Sequence, residues 1–154
     1  MKTETKIILI GGILTVLLLA GGIFLLSKGE NANVPEDQII SRRGIHWHPV
    51  LTILIKGEKQ EVAASIGIGG VHQPIHTHDN SGTLHLEIQG LVTKDETTLG
   101  RFFRIWGKEF NSNCIFDKCN GSEGQVKMVV NGEKNKEFEN YQMKDGDNIE
   151  IRYE

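Results

Sequence analysis

The chain has 154 residues and a formal net charge of −3, and its hydrophobic content of 38% is unevenly distributed. This length accommodates one compact domain and one short additional segment. From residue 29 onward, 14 basic against 19 acidic side chains leave a balance of −5, which argues against nucleic acid or an anionic lipid surface as the partner of this part.

The first predicted element is a membrane-spanning helix over residues 7–26. These twenty residues carry no charge, and Thr15 provides their only side-chain hydroxyl. At about 1.5 Å per residue, such a helix is about 30 Å long, which matches the hydrocarbon core of a bilayer. A cleaved signal peptide is the alternative, but its apolar region usually spans about 7–15 residues. We therefore expect an uncleaved anchor with the lipid bilayer as its partner.

The basic residues around this span predict its orientation. Lys2 and Lys6 precede the helix and Lys28 follows it, so the positive-inside rule predicts a cytoplasmic N-terminus. The chain is then a single-pass protein of the cell membrane with its body outside, and the Ile39-Ile40 pair is the first segment expected to dock on that body. We predict a tail with the anchor, a linker and an extracytoplasmic β-rich domain, with bounds at 1–28, 29–43 and 44–154.

Alternating apolar and polar residues predict that the domain begins with a strand over residues 45–55. One face of this strand carries the apolar residues Ile45, Trp47, Leu51, Ile53 and Ile55. The other face carries His46, His48, Val50 and Thr52. A turn at residues 56–59 then leads into a second strand near residues 61–66, and the glycine-rich stretch 67–70 is predicted to be a loop.

The histidines are concentrated in one part of the chain, at His46, His48, His72, His76, His78 and His85. We interpret residues 79–82 as the turn of a hairpin, with Asp79 in a turn role. The hairpin then pairs His76 with His85, Thr77 with Leu84, and His78 with Thr83. In this register, one face carries His76, His78, His85 and Glu87. The opposite face carries Ile75, Thr77, Leu84, Leu86 and Ile88.

This hairpin face predicts a metal site. Opposed Cβ atoms in a hairpin lie about 4.5–5.5 Å apart, so imidazoles on them can converge on one ion at about 2.0–2.1 Å. Imidazole suits zinc and copper(II), and only three methionines are present, which disfavours a thioether-rich copper(I) site. The predicted ligands are His76, His78 and His85, with a fourth drawn from His46, His48, His72 and Glu87. Glu87 can alternatively orient a ligand through its second ring nitrogen.

A single amphipathic helix is predicted next. Thr97 or Thr98 can cap it. An apolar stripe at near-helical spacing consists of Leu99, Phe102, Phe103, Trp106 and Phe110. This stripe predicts that the helix covers one face of the sheet.

Two cysteines follow the helix, at Cys114 and Cys119. Outside the cytoplasm, two cysteines without a third are most simply a disulfide that closes a short loop. Free thiols and metal ligation are the alternatives.

A second hairpin and a closing strand complete the predicted domain. Asn131-Gly132 is a strong turn signal after the apolar residues 126–130, and the final strand follows Asp145-Gly146-Asp147. A hairpin, a helix, another hairpin and a last strand resemble the β-grasp arrangement. The ending is similar to that of ubiquitin-like sulfur carriers, without their terminal diglycine. The predicted class is α+β, with a transmembrane helix before one mostly antiparallel domain whose helix covers the sheet.

The assembled motifs also resemble those of a known group of proteins. They are His-Trp-His at 46–48, His-Thr-His-Asp-x-Ser-Gly-x-x-His-x-Glu at 76–87, and Leu-Gly-x-Phe-Phe-x-Ile-Trp-Gly at 99–107. Over about residues 44–153, the chain resembles an uncharacterised family of membrane-anchored, histidine-rich extracytoplasmic domains of bacteria and archaea. The resemblance implies one coherent domain and supplies no activity.

The sequence is compatible with three functions. The leading hypothesis is a metal-binding module that captures or delivers zinc or copper(II), with a membrane protein as giver or receiver of the ion. The second is a metal-dependent enzyme, in which three histidines leave an open coordination position and Glu87 is the general base. The third is a metal-free interaction or pH-sensing domain, because imidazoles gain charge between about pH 5 and 8.

Overall fold

The computed structural model describes Thr15, Leu17 and residues 34–154. The predicted membrane span, residues 7–26, lies outside the described residues except for Thr15 and Leu17. Within the described part, no helix is both long and apolar enough to cross a membrane. The chain divides into two compact units, residues 1–37 and 38–154, and the second contains the sheets and the site.

Residues 34–154 form twelve short strands, one α-helix and three 3-10 turns. The strands are β1 (Ile39–Ser41), β2 (Ile45–Trp47), β3 (Val50–Ile55), β4 (Glu58–Gln60), β5 (Ile75–His76), β6 (His85–Ile88), β7 (Val92–Thr93), β8 (Cys114–Ile115), β9 (Lys118–Cys119), β10 (Val126–Val130), β11 (Glu133–Asn135) and β12 (Asn148–Tyr153). The α-helix is α1 (Leu99–Trp106), and the 3-10 turns are Glu36–Gln38, Lys94–Thr97 and Phe138–Asn140. The predicted α+β class, mostly antiparallel with one helix in this part, is confirmed.

The largest sheet has five strands in the order β11-β10-β12-β3-β4. The closing strand β12 lies between the two hairpins, β3–β4 and β10–β11. It runs parallel to β3 and antiparallel to β10. Ile149, Ile151 and Tyr153 of β12 are buried. The predicted chain order of hairpin, helix, hairpin and closing strand is confirmed, and the last strand occupies the centre of the sheet.

Both hairpins close through two-residue turns. Asn131 and Gly132 have φ values of 52° and 86°, and Lys56 and Gly57 have φ values of 53° and 85°, as primed hairpin turns require. The Asn-Gly hairpin was predicted correctly. The second strand of the first hairpin was misplaced at 61–66. The two-residue turn leaves Glu58 directly opposite Ile55, so β4 begins at once and ends before residue 61.

The strand predicted over residues 45–55 is two strands in different sheets. β2 belongs to a three-stranded sheet in the order β2-β6-β5, whereas β3 belongs to the five-stranded sheet. Pro49 lies between them and has no N–H to donate to a ladder, which explains why pairing does not continue through it. The break places His46 and His48 beside β6, where the two sheets meet.

The helix α1 buries three members of the predicted apolar stripe. Leu99, Phe102 and Phe103 are at most 1% exposed, and Trp106 is partly buried against the same core. The helix ends at Gly107, whose φ of 69° supplies the left-handed cap. Phe110 therefore lies beyond the helix rather than on its stripe, although it is buried and its ring centroid is 4.6 Å from that of Phe103.

Two further pairings complete the unit. The predicted disulfide between Cys114 and Cys119 is confirmed, and it joins β8 to β9. Strand β1 pairs with β7, so the Ile39-Ile40 segment docks as expected. The compact unit accordingly begins at Gln38, upstream of the boundary predicted at residue 44.

Candidate metal centre

The candidate site lies on the three-stranded sheet. His76 on β5 is directly opposite His85 on β6, which confirms the predicted pair, and His46 on β2 is opposite Glu87 on β6. Because β6 pairs on both sides, the two ladders hold these four side chains on one small sheet.

The predicted pairs beyond His76, Thr77 with Leu84 and His78 with Thr83, are wrong. Thr77 instead exchanges backbone hydrogen bonds with the segment 63–66, at 3.0 Å to Ser65 and 3.0 Å to Ile66. Its hydroxyl also donates to the carbonyl of Ala63 at 2.8 Å. This competing pairing opens the hairpin after His76 and leaves His78 on a loop.

The predicted division of the hairpin into two faces nevertheless holds. The inward residues Ile75, Thr77, Leu84, Leu86 and Ile88 are all buried. The opposite face brings together His76, His78, His85 and Glu87, whose candidate ligand atoms all lie within 4.8 Å of one another. We call these four residues the inner group. Ligands at about 2.0–2.1 Å from one ion are at most about 4.2 Å apart, so small side-chain movements suffice to close the group on an ion.

A second group shares one member with the first. The candidate ligand atoms of His46, His48 and His85 also lie within 4.8 Å of one another, and we call these residues the outer group. Their rings form a continuous series, with centroids 4.7 Å apart between His46 and His48 and 4.8 Å apart between His48 and His85. His72 belongs to neither group, and its ring lies 5.3 Å from that of His76.

Hydrogen bonds orient several of these rings. The carbonyl of Gln73 lies 3.1 Å from Nδ1 of His76, which leaves Nε2 of that ring to face an ion, as metal-binding histidines require. Nε2 of His46 lies 3.2 Å from Oε1 of Glu87. This contact is made by a backbone carbonyl, which every residue has, so the sequence could not single out Gln73 as the partner of His76.

Asp145 is a second contact that the sequence did not reveal. Its Oδ1 accepts the backbone N–H of His48 at 2.8 Å and lies 3.8 Å from Nδ1 of the same residue. The turn that carries Asp145 is fixed by the buried Asp147, which accepts hydrogen bonds from the Tyr141 hydroxyl and the Lys144 N–H, each at 2.7 Å. Burial and the neighbouring Asp147 raise the pKa of Tyr141, so this hydroxyl keeps its proton.

Burial affects the protonation of two members of the inner group. It lowers the pKa of His76 from 6.5, opposed in part by the Gln73 carbonyl. It also lowers the pKa of His85 from 6.5, and the adjacent His78 and His48 lower it further. Both imidazoles therefore favour the neutral form, which is the form that binds metal.

A cleft of about 740 Å³ opens beside the inner group. Its lining includes His72, His76, His78, Glu87 and His46. Ligand sites in proteins commonly have volumes of about 300–1,000 Å³. The cleft thus leaves space for a water molecule or a small ligand next to the candidate metal ligands.

Comparison of the chain with protein families, curated proteins and solved structures finds no match. The function is therefore inferred from the residues of the site.

Proposed function

We propose that this chain is a membrane-anchored, extracytoplasmic module that binds a divalent ion, zinc or copper(II), through His76, His78 and His85, with Glu87 as a ligand or as the partner of one. The single observation that carries this proposal is the inner group, four candidate ligand atoms within 4.8 Å of one another. Three of these atoms belong to imidazoles. Those of His76 and His85 favour the neutral form, and that of His78 is exposed. Zinc and copper(II) both accept imidazole as a ligand.

The chemistry of the donors narrows the choice of ion. Cys114 and Cys119 are bonded to each other, so neither supplies a thiolate, and the chain has no other cysteine. A site built from imidazole and carboxylate suits zinc or copper(II) better than copper(I), which prefers soft sulfur ligands.

The anchoring and the location belong to the same proposal. The uncharged span over residues 7–26 supports a membrane anchor. The disulfide supports placement of the domain in an oxidising compartment outside the cytoplasm. A membrane protein close to the anchor is then the expected giver or receiver of the ion.

Thermal unfolding of the full-length protein in detergent tests metal binding. A ligand present at about 100 times its dissociation constant stabilises the folded state by about 2.7 kcal/mol. We therefore expect the midpoint of the wild type, stripped with chelator, to rise by about 10 °C on addition of Zn²⁺ or Cu²⁺. His78→Asn, at an exposed loop position, should abolish most of this rise without preventing folding.

His72→Asn is the matched control, because His72 lies in the same cleft but outside the inner group. We expect it to keep the full metal-dependent rise. A wild-type midpoint that ignores both ions would contradict the proposal.

A metal-dependent enzyme is the second candidate, and the cleft beside the inner group favours it. An open coordination position would hold a water molecule that the metal activates, with Glu87 as the general base. Cobalt(II) in place of zinc reports on such a position. Azide should change the visible spectrum of the cobalt-loaded protein if the position is open, and an unchanged spectrum would indicate a site closed by protein ligands.

A further inference from the structure

We propose that His46, His48 and His85 form a second, outer binding position for the same ion, so that an ion is captured there and passes to the inner group by exchange at His85. This inference rests on the proposed metal-binding function and adds a direction of transfer to it. The site would then work as a two-step relay with one ion at a time.

The shared residue is the first observation for a relay. His85 belongs to both groups, each with its candidate ligand atoms within 4.8 Å. Its ring centroid lies 4.8 Å from that of His48 on one side and 4.5 Å from that of His78 on the other. An ion held by His85 can therefore exchange its remaining ligands in turn, from His48 to His78, without leaving the protein.

The two donor sets give the relay its direction. The outer group offers three imidazoles, and the side chains of His46 and His48 are 63% and 43% exposed. The inner group offers three imidazoles and the carboxylate of Glu87, and it includes His76, which is only 3% exposed. A fourth ligand that carries a negative charge holds a cation more firmly, so exchange at His85 favours the inner group.

A contact between Glu87 and His46 places the two positions side by side. Oε1 of Glu87 lies 3.2 Å from Nε2 of His46, and each side chain has a second donor atom, Oε2 and Nδ1, that can bind an ion. A carboxylate in contact with the second ring nitrogen is the usual support for a metal-binding histidine, so each group can support a ligand of the other.

The outer group is held on fixed backbone rather than on a loose loop. His46 lies in the ladder between β2 and β6, and the backbone N–H of His48 is bound by Asp145 at 2.8 Å. Asp145 and Glu87 also place two carboxylates beside the outer imidazoles, and their negative charge attracts a cation to the exposed end of the relay.

The test measures the rate of loading separately from the affinity at equilibrium. Full-length protein in detergent receives Cu²⁺ from a soluble chelator, and binding is followed by quenching of tryptophan fluorescence. Trp47 is the probe, because it lies between His46 and His48 in the sequence. We expect the double variant His46→Asn with His48→Asn to load at least about tenfold more slowly, a larger loss than that of its equilibrium affinity. His72→Asn is the control and should load at the wild-type rate.

The complementary variant removes the inner histidines. His76→Asn with His78→Asn should still bind one Cu²⁺ per chain through the outer group, with an affinity at least about 100-fold weaker. Three results would overturn the relay alone. They are a wild-type loading rate in the His46/His48 variant, a fall in its equilibrium affinity as large as the fall in its loading rate, or two ions bound per wild-type chain. A wild type that binds no Cu²⁺ and no Zn²⁺ would overturn the relay and the proposed function together.

Discussion

Single residues set the protonation of the site. Burial lowers the pKa of both His76 and His85 in the folded chain, while His78 and Glu87 remain exposed. The inner group thus combines two imidazoles that resist protonation with two side chains that solvent reaches. This combination is consistent with the proposed binding and exchange of an ion.

The lowered pKa of His76 predicts how stability depends on pH. The unfolded chain binds a proton near the ordinary pKa of 6.5, and the folded chain binds it only at lower pH. The unfolded state therefore holds more protons over this interval, and the metal-free domain loses stability as the pH falls from about 7.5 to about 5. Urea midpoints measured across this range should decrease, and His76→Gln should make the decrease smaller.

His72→Gln is the control for this experiment, since it leaves the buried imidazole in place. A pH dependence that is identical in the wild type and in His76→Gln would contradict the assignment of the effect to His76.

At the scale of elements, the site depends on how the loop 79–82 reaches β3. Gly82 has a φ of 91°, and its carbonyl accepts the N–H of Leu51 at 2.9 Å. A Cβ placed on Gly82 would lie 2.4 Å from the Leu51 oxygen, closer than any real contact. This approach ties the loop after His78 to the five-stranded sheet.

We predict that Gly82→Ala destabilises the domain by more than about 2 kcal/mol, because a backbone clash adds to the cost of a positive φ. Chemical denaturation measures this loss. Gly57→Ala is the matched control. Gly57 also has a positive φ, of 85°, but nothing lies within 4 Å of its would-be Cβ, so its loss should be about 1 kcal/mol. Equal losses for the two variants would contradict the close approach.

At the scale of the whole molecule, the parallel pairing of β12 with β3 joins the two ends of the domain. Asn148 pairs with Val50 at the start of this ladder. The turn before β12 therefore lies next to the end of β2, and Asp145 reaches His48 across 97 positions of the chain. The C-terminal strand thus supports both the core and the outer group.

The disulfide is expected to stabilise the domain without taking part in the site. Cys114→Ser with Cys119→Ser should cost about 2 kcal/mol, as a short closed loop removes little entropy from the unfolded chain. Urea denaturation measures this cost, and the metal-dependent rise of the thermal midpoint should remain. Loss of metal binding in this variant would instead indicate that the cysteines influence the site.

Features that depend on local pattern could be predicted from the amino-acid sequence. The period of two in a strand placed His76, His85 and Glu87 on one face, and the Asn131-Gly132 pair located a hairpin through its tolerance of positive φ. Likewise, the presence of two cysteines and no third predicted the disulfide between Cys114 and Cys119. Each of these follows from residues that are close together in the chain.

Features that depend on contacts between distant segments could not be predicted in this way. Thr77 is fully buried, and it pairs with residues 63–66 instead of with Leu84 because this pairing satisfies its N–H, its carbonyl and its hydroxyl. Pro49 divides the strand predicted over residues 45–55, and this break brings His46 and His48 to His85. No local pattern encodes that meeting, since it results from which sheet each half of the strand joins.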